Sequence, residues 1–157
     1  RQALTAAGDR QVAVAIGAHC VRLWRGGLYL TPAAPPTTRM ASTMATPAVV
    51  HWRLDAPLDL PGLGQLRAEP ARGQGIAAAR LGAQPALDVR FRAADSGGKA
   101  LKKRLQALDL PPWQRGRVPL LYGAEGLVQV AGGEPVAAWR AAPGEAGWRI
   151  VWRSLAP

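Results

Sequence analysis

Eighteen glycines and fourteen prolines cut this chain into short pieces, and that punctuation decides what it can fold into. Glycine frees the backbone for turns, while proline fixes φ and removes a hydrogen-bond donor, so neither suits the inside of a long helix or a central strand. Between the breaks the letters alternate. In "LDVRFR", Leu87, Val89 and Phe91 alternate with Asp88, Arg90 and Arg92, which predicts a half-buried strand with a basic outer face. In "GWRIVWR", Trp148, Ile150 and Trp152 share one face and Arg149 and Arg153 the other. "VVHWRL", "GQLRAEP", "VPLLY", "GLVQVA" and "PVAAWR" read as further short strands, whereas "GQGIAAARLGAQPA" has too little periodicity to assign.

At the amino end, "VAVAI", "HCVRLW" and "GLYL" predict a strand pair around the tight turn Arg25-Gly26-Gly27. The preceding "RQALTAAG" reads as the last turn of a helix from a domain upstream. Residues 31–48, "TPAAPPTTRMASTMATPA", carry four prolines and no periodicity, and predict an extended linker. No internal repeat is visible. The expected organisation is a tail of a preceding domain over 1–30, a linker over 31–48 and a main domain over 49–157. The fold class is α+β: a small, mostly antiparallel β domain with one principal basic helix, preceded by the strand pair and the Pro/Thr-rich linker. A doubly wound fold would need strands and helices in alternation, and the pattern lacks them.

The 157 residues suffice for one sizeable core or two small ones, and no apolar run approaches the roughly 20 residues that cross a bilayer. Cys20 is the only cysteine, which excludes an internal disulfide and a cysteine-based zinc site and makes a reducing cytoplasm the simplest setting. His19 and His51 have no carboxylate at ligand spacing and read as half-buried strand residues rather than metal ligands or bases. Net charge is +10 and the pI about 11.4, which suits a polyanionic partner. Arginine-, alanine- and glycine-rich composition also follows from a GC-rich genome, so the placement of the charges has to decide.

The one helical stretch is "SGGKALKKRLQALDLPPW", residues 96–113. Its opening imitates a phosphate-binding loop and fails as one. A Walker loop needs glycine where Ala93 stands and a hydroxyl where Ala100 stands. The other pyrophosphate loop that begins Ser-Gly-Gly continues with Asp and Ser, and here those places hold Ala100 and Leu101. What remains is a helix start whose first amides point outward and favour an anion. Leu101, Leu105 and Leu108 form a core stripe, Lys99, Lys102, Lys103 and Gln106 another face with Arg104 beside it, and Pro111 and Pro112 are expected to end the helix. Trp113, Arg115 and Arg117 follow, Trp113 reading as a core anchor beside the prolines. Between residues 85 and 120 there are eight basic and three acidic residues, a concentration that suits phosphate contacts.

"GGKALKKRLQALDLPPWQRGRVPLLYGAEGLVQVAG" resembles the C-terminal domain of the tRNA(Ile)-lysidine synthase family: a basic Leu-Lys-Lys helix (Leu101, Lys102, Lys103), then Pro111, Pro112 and Trp113, the basic Arg115 and Arg117, and Pro119 to Tyr122 before a strand. The resemblance covers about residues 50–155, more weakly at its ends, and the opening strands look like the tail of that family's substrate-binding domain. It implies a ligase that uses ATP, with magnesium, to adenylate the wobble cytosine of isoleucine tRNA before lysine displaces AMP. The ATP-binding loop of that family is missing here, so the chain is expected to hold no catalytic residue, no cofactor and no metal. The implied partners are the isoleucine tRNA and the N-terminal catalytic domain, a homodimer stays open, and a membrane is not among them. The expected RNA contacts are Lys99, Lys102, Lys103, Arg104, Arg115, Arg117, Arg90 and Arg92. The alternative is an interaction domain packing on the catalytic part or a second subunit, its charge serving solubility. A stand-alone nucleotide-binding enzyme is set aside by the failed loops.

Overall fold

The computed structural model describes residues 12–32, 49–91 and 98–155. The helical turn expected in "RQALTAAG", most of the linker, Arg92 and the Ser96-Gly97 pair lie outside the described residues. The chain divides into two compact units, Arg1–Thr43 with Pro157, and Met44–Ala156.

The first unit is a three-stranded antiparallel sheet rather than the expected pair: β1 (Val12–Ile16), β2 (His19–Trp24) and β3 (Gly27–Pro32), in that order. β3 runs into Thr31 and Pro32, the first two residues of the expected linker. Register assigns the side chains to two faces. Val14, Val21 and Leu30 form one cross-strand row and Leu23 and Leu28 belong to the next, all on one face. Cys20 and Thr31, opposite each other on the other face, are buried, and the Thr31 hydroxyl donates to the Cys20 carbonyl at 3.2 Å while Arg22 Nε donates to Thr31 Oγ1 at 3.1 Å.

The second unit holds two four-stranded antiparallel sheets. One orders β10 (Gly126–Val130), β9 (Leu120–Gly123), β8 (Ala86–Arg90) and β4 (Val49–Arg53). The other orders β5 (Leu58–Leu60), β6 (Gly64–Arg72), β11 (Ala146–Ser154) and β7 (Ile76–Ala77). The short helix α1 (Ala78–Leu81) follows β7, and α2 (Lys99–Ala107) stands between β8 and β9. The mostly antiparallel β architecture with few helices agrees with the expected class. The weakly periodic passage "GQGIAAARLGAQPA" supplies β7 and α1. "PVAAWR" is not a strand: Ala137–Trp139 coil into a 3₁₀ turn, its Trp139 amide bonded to the Val136 carbonyl at 2.9 Å.

Alternation explains the core. Leu87 and Val89 of β8 are buried together with Trp52, Leu121 and Val128, and Leu66 and Ile150 of the other sheet join the same cluster, with Leu101 and Leu105 of α2. Trp148 and Trp152 pack on it half-buried, while Arg149 and Arg153 point outward, as their alternate positions require. Trp139 is buried as well. Trp113 is half-buried beside the buried Pro111. Both histidines lie in strands but are exposed, not half-buried.

Candidate nucleic-acid interface

α2 begins at Gly98, whose extended backbone (φ −63°, ψ 176°) opens the helix, and the Lys102 amide bonds the Gly98 carbonyl at 3.2 Å. No side chain caps this end and no acidic residue occupies the first turn. The unpaired dipole end and Lys99 together leave positive potential there. The helix stops at Ala107, ahead of Pro111, because Asp109 turns left-handed at φ 56° and its amide closes back on the Gln106 carbonyl at 3.1 Å. An aspartate tolerates that conformation better than most residues. The prolines therefore follow a helix that has already ended.

The apolar stripe anchors α2 and fixes what its other face shows. Leu101 and Leu105 are buried and Leu108 is half-buried against the core, so Lys99, Lys102, Lys103 and Gln106 are exposed and Arg104 is half-buried. Arg90 reaches this neighbourhood through the sheet. It pairs in register with Leu120, and Leu120 with Val130, so the three share a face, and Val130 lines a hollow with Arg104 and Ala107 of α2 and the capping Leu108. Arg90 also lies over the Tyr122 ring at 4.7 Å and 3.5 Å from Asp88. The ring holds the guanidinium in place, and the Asp88 carboxylate offsets part of its charge.

Arg115 and Arg117 do different work from the lysines. Arg115 Nε donates to the Leu110 carbonyl at 3.0 Å, and Arg117 Nη2 donates to the Gly62 carbonyl at 2.6 Å, bracing the segment after α2 against the turn between β5 and β6. Each guanidinium keeps further donors. Arg92 lies outside the described residues.

Two groupings were not legible in the sequence. His51 and Asp88 oppose each other in register, with Nδ1 3.0 Å from Oδ1. The hydrogen bond from His51, helped by Arg90, holds the Asp88 carboxyl below its ordinary range. On the other sheet Arg149 pairs with Glu69 across β6 and β11, and that bond and charge, with Arg67 and Arg153 nearby, lower the Glu69 carboxyl likewise. Among the described residues no group of three His, Cys, Asp or Glu could hold a metal ion, and no helix is long and apolar enough to cross a membrane.

Comparison with known proteins gives this basic surface a context. The family model described as the TilS substrate C-terminal domain matches residues 80–152, from α1 through β11. Residues 80–152 belong to the TilS substrate C-terminal domain family. The wider chain is similar to tRNA(Ile)-lysidine synthases. That of Yersinia pseudotuberculosis serotype O:1b is 36% identical over 92% of this chain and 34% of its own length. That of Xanthomonas campestris pv. campestris is 33% identical over 100% of this chain and 35% of its own. That of Alkalilimnicola ehrlichii is 35% identical over 68% of this chain and 25% of its own. The chain thus spans about a third of the length of the first two relatives. The matched segment contains α2, the Pro-Pro-Trp turn and Arg90, so the basic helix lies within the TilS-type domain.

Proposed function

We propose that this TilS-type domain binds tRNA by its phosphate backbone, as part of a ligase that attaches lysine to the wobble cytidine of isoleucine tRNA. The observation that carries the reading is α2: four cations and no acid on a helix whose leucines fix its basic face outward, inside a domain whose relatives are named for tRNA(Ile). Point charges on flexible stems suit contact with phosphates and carry no sequence code by themselves. Arg90, held on Tyr122, extends the surface, and Arg92 follows it by two positions in the sequence. ATP and magnesium belong, in this reading, to a catalytic domain outside the chain, because the "SGGK" stretch lacks the residues either phosphate loop requires. The setting is cytoplasmic, where tRNA is modified.

A second reading, a domain that packs on the catalytic part or a second subunit without touching RNA, is favoured by Arg115 and Arg117, each of which donates to a backbone carbonyl of its own unit. The deciding experiment titrates the chain with isoleucine tRNA and an unrelated tRNA at several salt concentrations. Each phosphate contact adds roughly 0.7 to 0.9 to the log–log salt slope. A steep slope with preference for the isoleucine tRNA supports recognition, a steep slope without preference leaves a basic anchor, and no binding at low salt transfers the case to the packing reading.

A further inference from the structure

The turn Gly132-Gly133-Glu134 after β10 separates two hollows of about 340 Å³ each and lines both. On one side are Arg104 and Ala107 of α2 and Leu108, which caps it. On the other are Arg140 and Arg149, with the turn at Gly73–Gly75 as the far wall. The divide is low. Gly132 is exposed, has φ +83° and would meet nothing within 4 Å if it carried a Cβ, while Gly133 lies against Leu108, where a Cβ would stand 3.2 Å from Cδ2. Two residues without side chains, one of them seated on the helix, form a saddle that a sugar–phosphate backbone can approach closely.

The charges beyond the saddle continue the sign of α2. Arg140 is exposed, and its Nη2 donates to the Pro135 carbonyl at 3.5 Å. Arg149 is exposed and shares Glu69 with the nearby Arg67 and Arg153, so that corner carries three arginines around one carboxylate. Arginine's fork keeps free donors after one contact is made. The acidic side chain standing on the saddle itself is Glu134, which lines both hollows.

We infer that RNA bound at α2 continues over the Gly132–Gly133 saddle to Arg140 and Arg149, so that the two sides of this turn form one phosphate track interrupted by Glu134. The inference rests on the tRNA-binding reading and deepens it. The occupant is a polynucleotide backbone rather than a single nucleotide because the cations stand on both sides of the saddle, Arg104 in one hollow and Arg140 and Arg149 in the other, instead of converging on one point. Arg149 contributes the smaller share while Glu69 remains its partner.

The test uses the full chain and isoleucine tRNA in salt titrations. Replacing Arg140 and Arg149 together with Gln is expected to lower the log–log slope by roughly 0.7 to 0.9 for each phosphate no longer neutralised. Glu134→Gln is expected to tighten binding by roughly two- to fivefold at low salt, in keeping with one exposed charge. A misfolded variant cannot produce that gain. If the unaltered chain binds and Lys102→Ala with Lys103→Ala weakens it, but the Arg140/Arg149 pair and Glu134→Gln change neither affinity nor slope, the track is wrong and the function stands. Weaker binding by Glu134→Gln overturns the track too, since it would make Glu134 an acceptor for RNA hydroxyl or base donors rather than a break in a phosphate path. If the unaltered chain does not bind tRNA at low salt, the track and the function fall together.

Discussion

His51 and Asp88 are 37 residues apart in sequence and face each other across β4 and β8, with the His51 Nδ1 3.0 Å from the Asp88 carboxylate. Because the folded chain holds the Asp88 carboxyl below its ordinary range, the unfolded chain takes up a proton there first. Asp88 thus contributes stability that is fully present above the unfolded carboxylate range and is lost as pH falls through the folded value; Glu69 follows the same sign. The expected outcome is a urea midpoint that declines below about pH 4. Asp88→Asn flattens part of that decline and costs less than about 1 kcal/mol at pH 7, since the pair is solvent-screened. An Asp88→Asn chain with an unaltered acid limb would remove this pair from the account.

Lys102→Ala with Lys103→Ala is expected to leave the thermal midpoint within a degree or two, because both side chains are exposed, and to lower the tRNA salt slope by roughly 0.7 to 0.9 for each phosphate these lysines neutralise. Arg117→Ala should do the opposite. It deletes a bond to the Gly62 carbonyl and costs about 1 kcal/mol of stability with little change in slope. Parallel titrations and melts separate the two kinds of basic residue.

Leu105→Ala removes a fully buried side chain that ties α2 to the core, with an expected loss of about 2 to 5 kcal/mol. The helix carrying the lysines should loosen with it. Amide exchange across Lys99–Ala107 is expected to accelerate more than exchange in β6 and β11, and equal acceleration everywhere would mean that α2 has no stability of its own to lose.

Gly75 and Gly132 both adopt positive φ, +72° and +83°, but only Gly75 is hemmed in. A Cβ at Gly75 would collide with the Trp148 carbonyl of β11, so Gly75→Ala should cost at least about 2 to 4 kcal/mol. Gly132→Ala meets nothing and should cost only about 1 to 2 kcal/mol of backbone strain. Denaturant midpoints of the two variants test the difference.

The local rules were readable and the long-range pairings were not. Leu87 and Val89, Trp148 and Ile150, and Leu101 and Leu105 announce their faces by spacing alone, because side-chain direction follows from the period of the element. Trp139 misled, since "PVAAWR" has the residue types of a strand while the Val136 carbonyl draws the chain into a tight turn. Nothing in single letters places His51 opposite Asp88 or Arg149 opposite Glu69, because register depends on partners far along the chain and a slip of one residue reverses every face. The same limit hid the bond from Arg117 to the Gly62 carbonyl, although Arg117 and the lysines of α2 stand in the same basic stretch.

The sheet β1–β2–β3 buries Cys20 and Thr31 on one side while Val14, Ile16, Leu28 and Leu30 on the other remain 50% to 74% exposed. Three strands gain stability by covering an apolar face, and this one is wet. Excluding water from Leu28 and Leu30 would therefore stabilise the pairing of these strands. Anything that did so would add its binding free energy to the pairing of the strands, and the protection of their amides would report it.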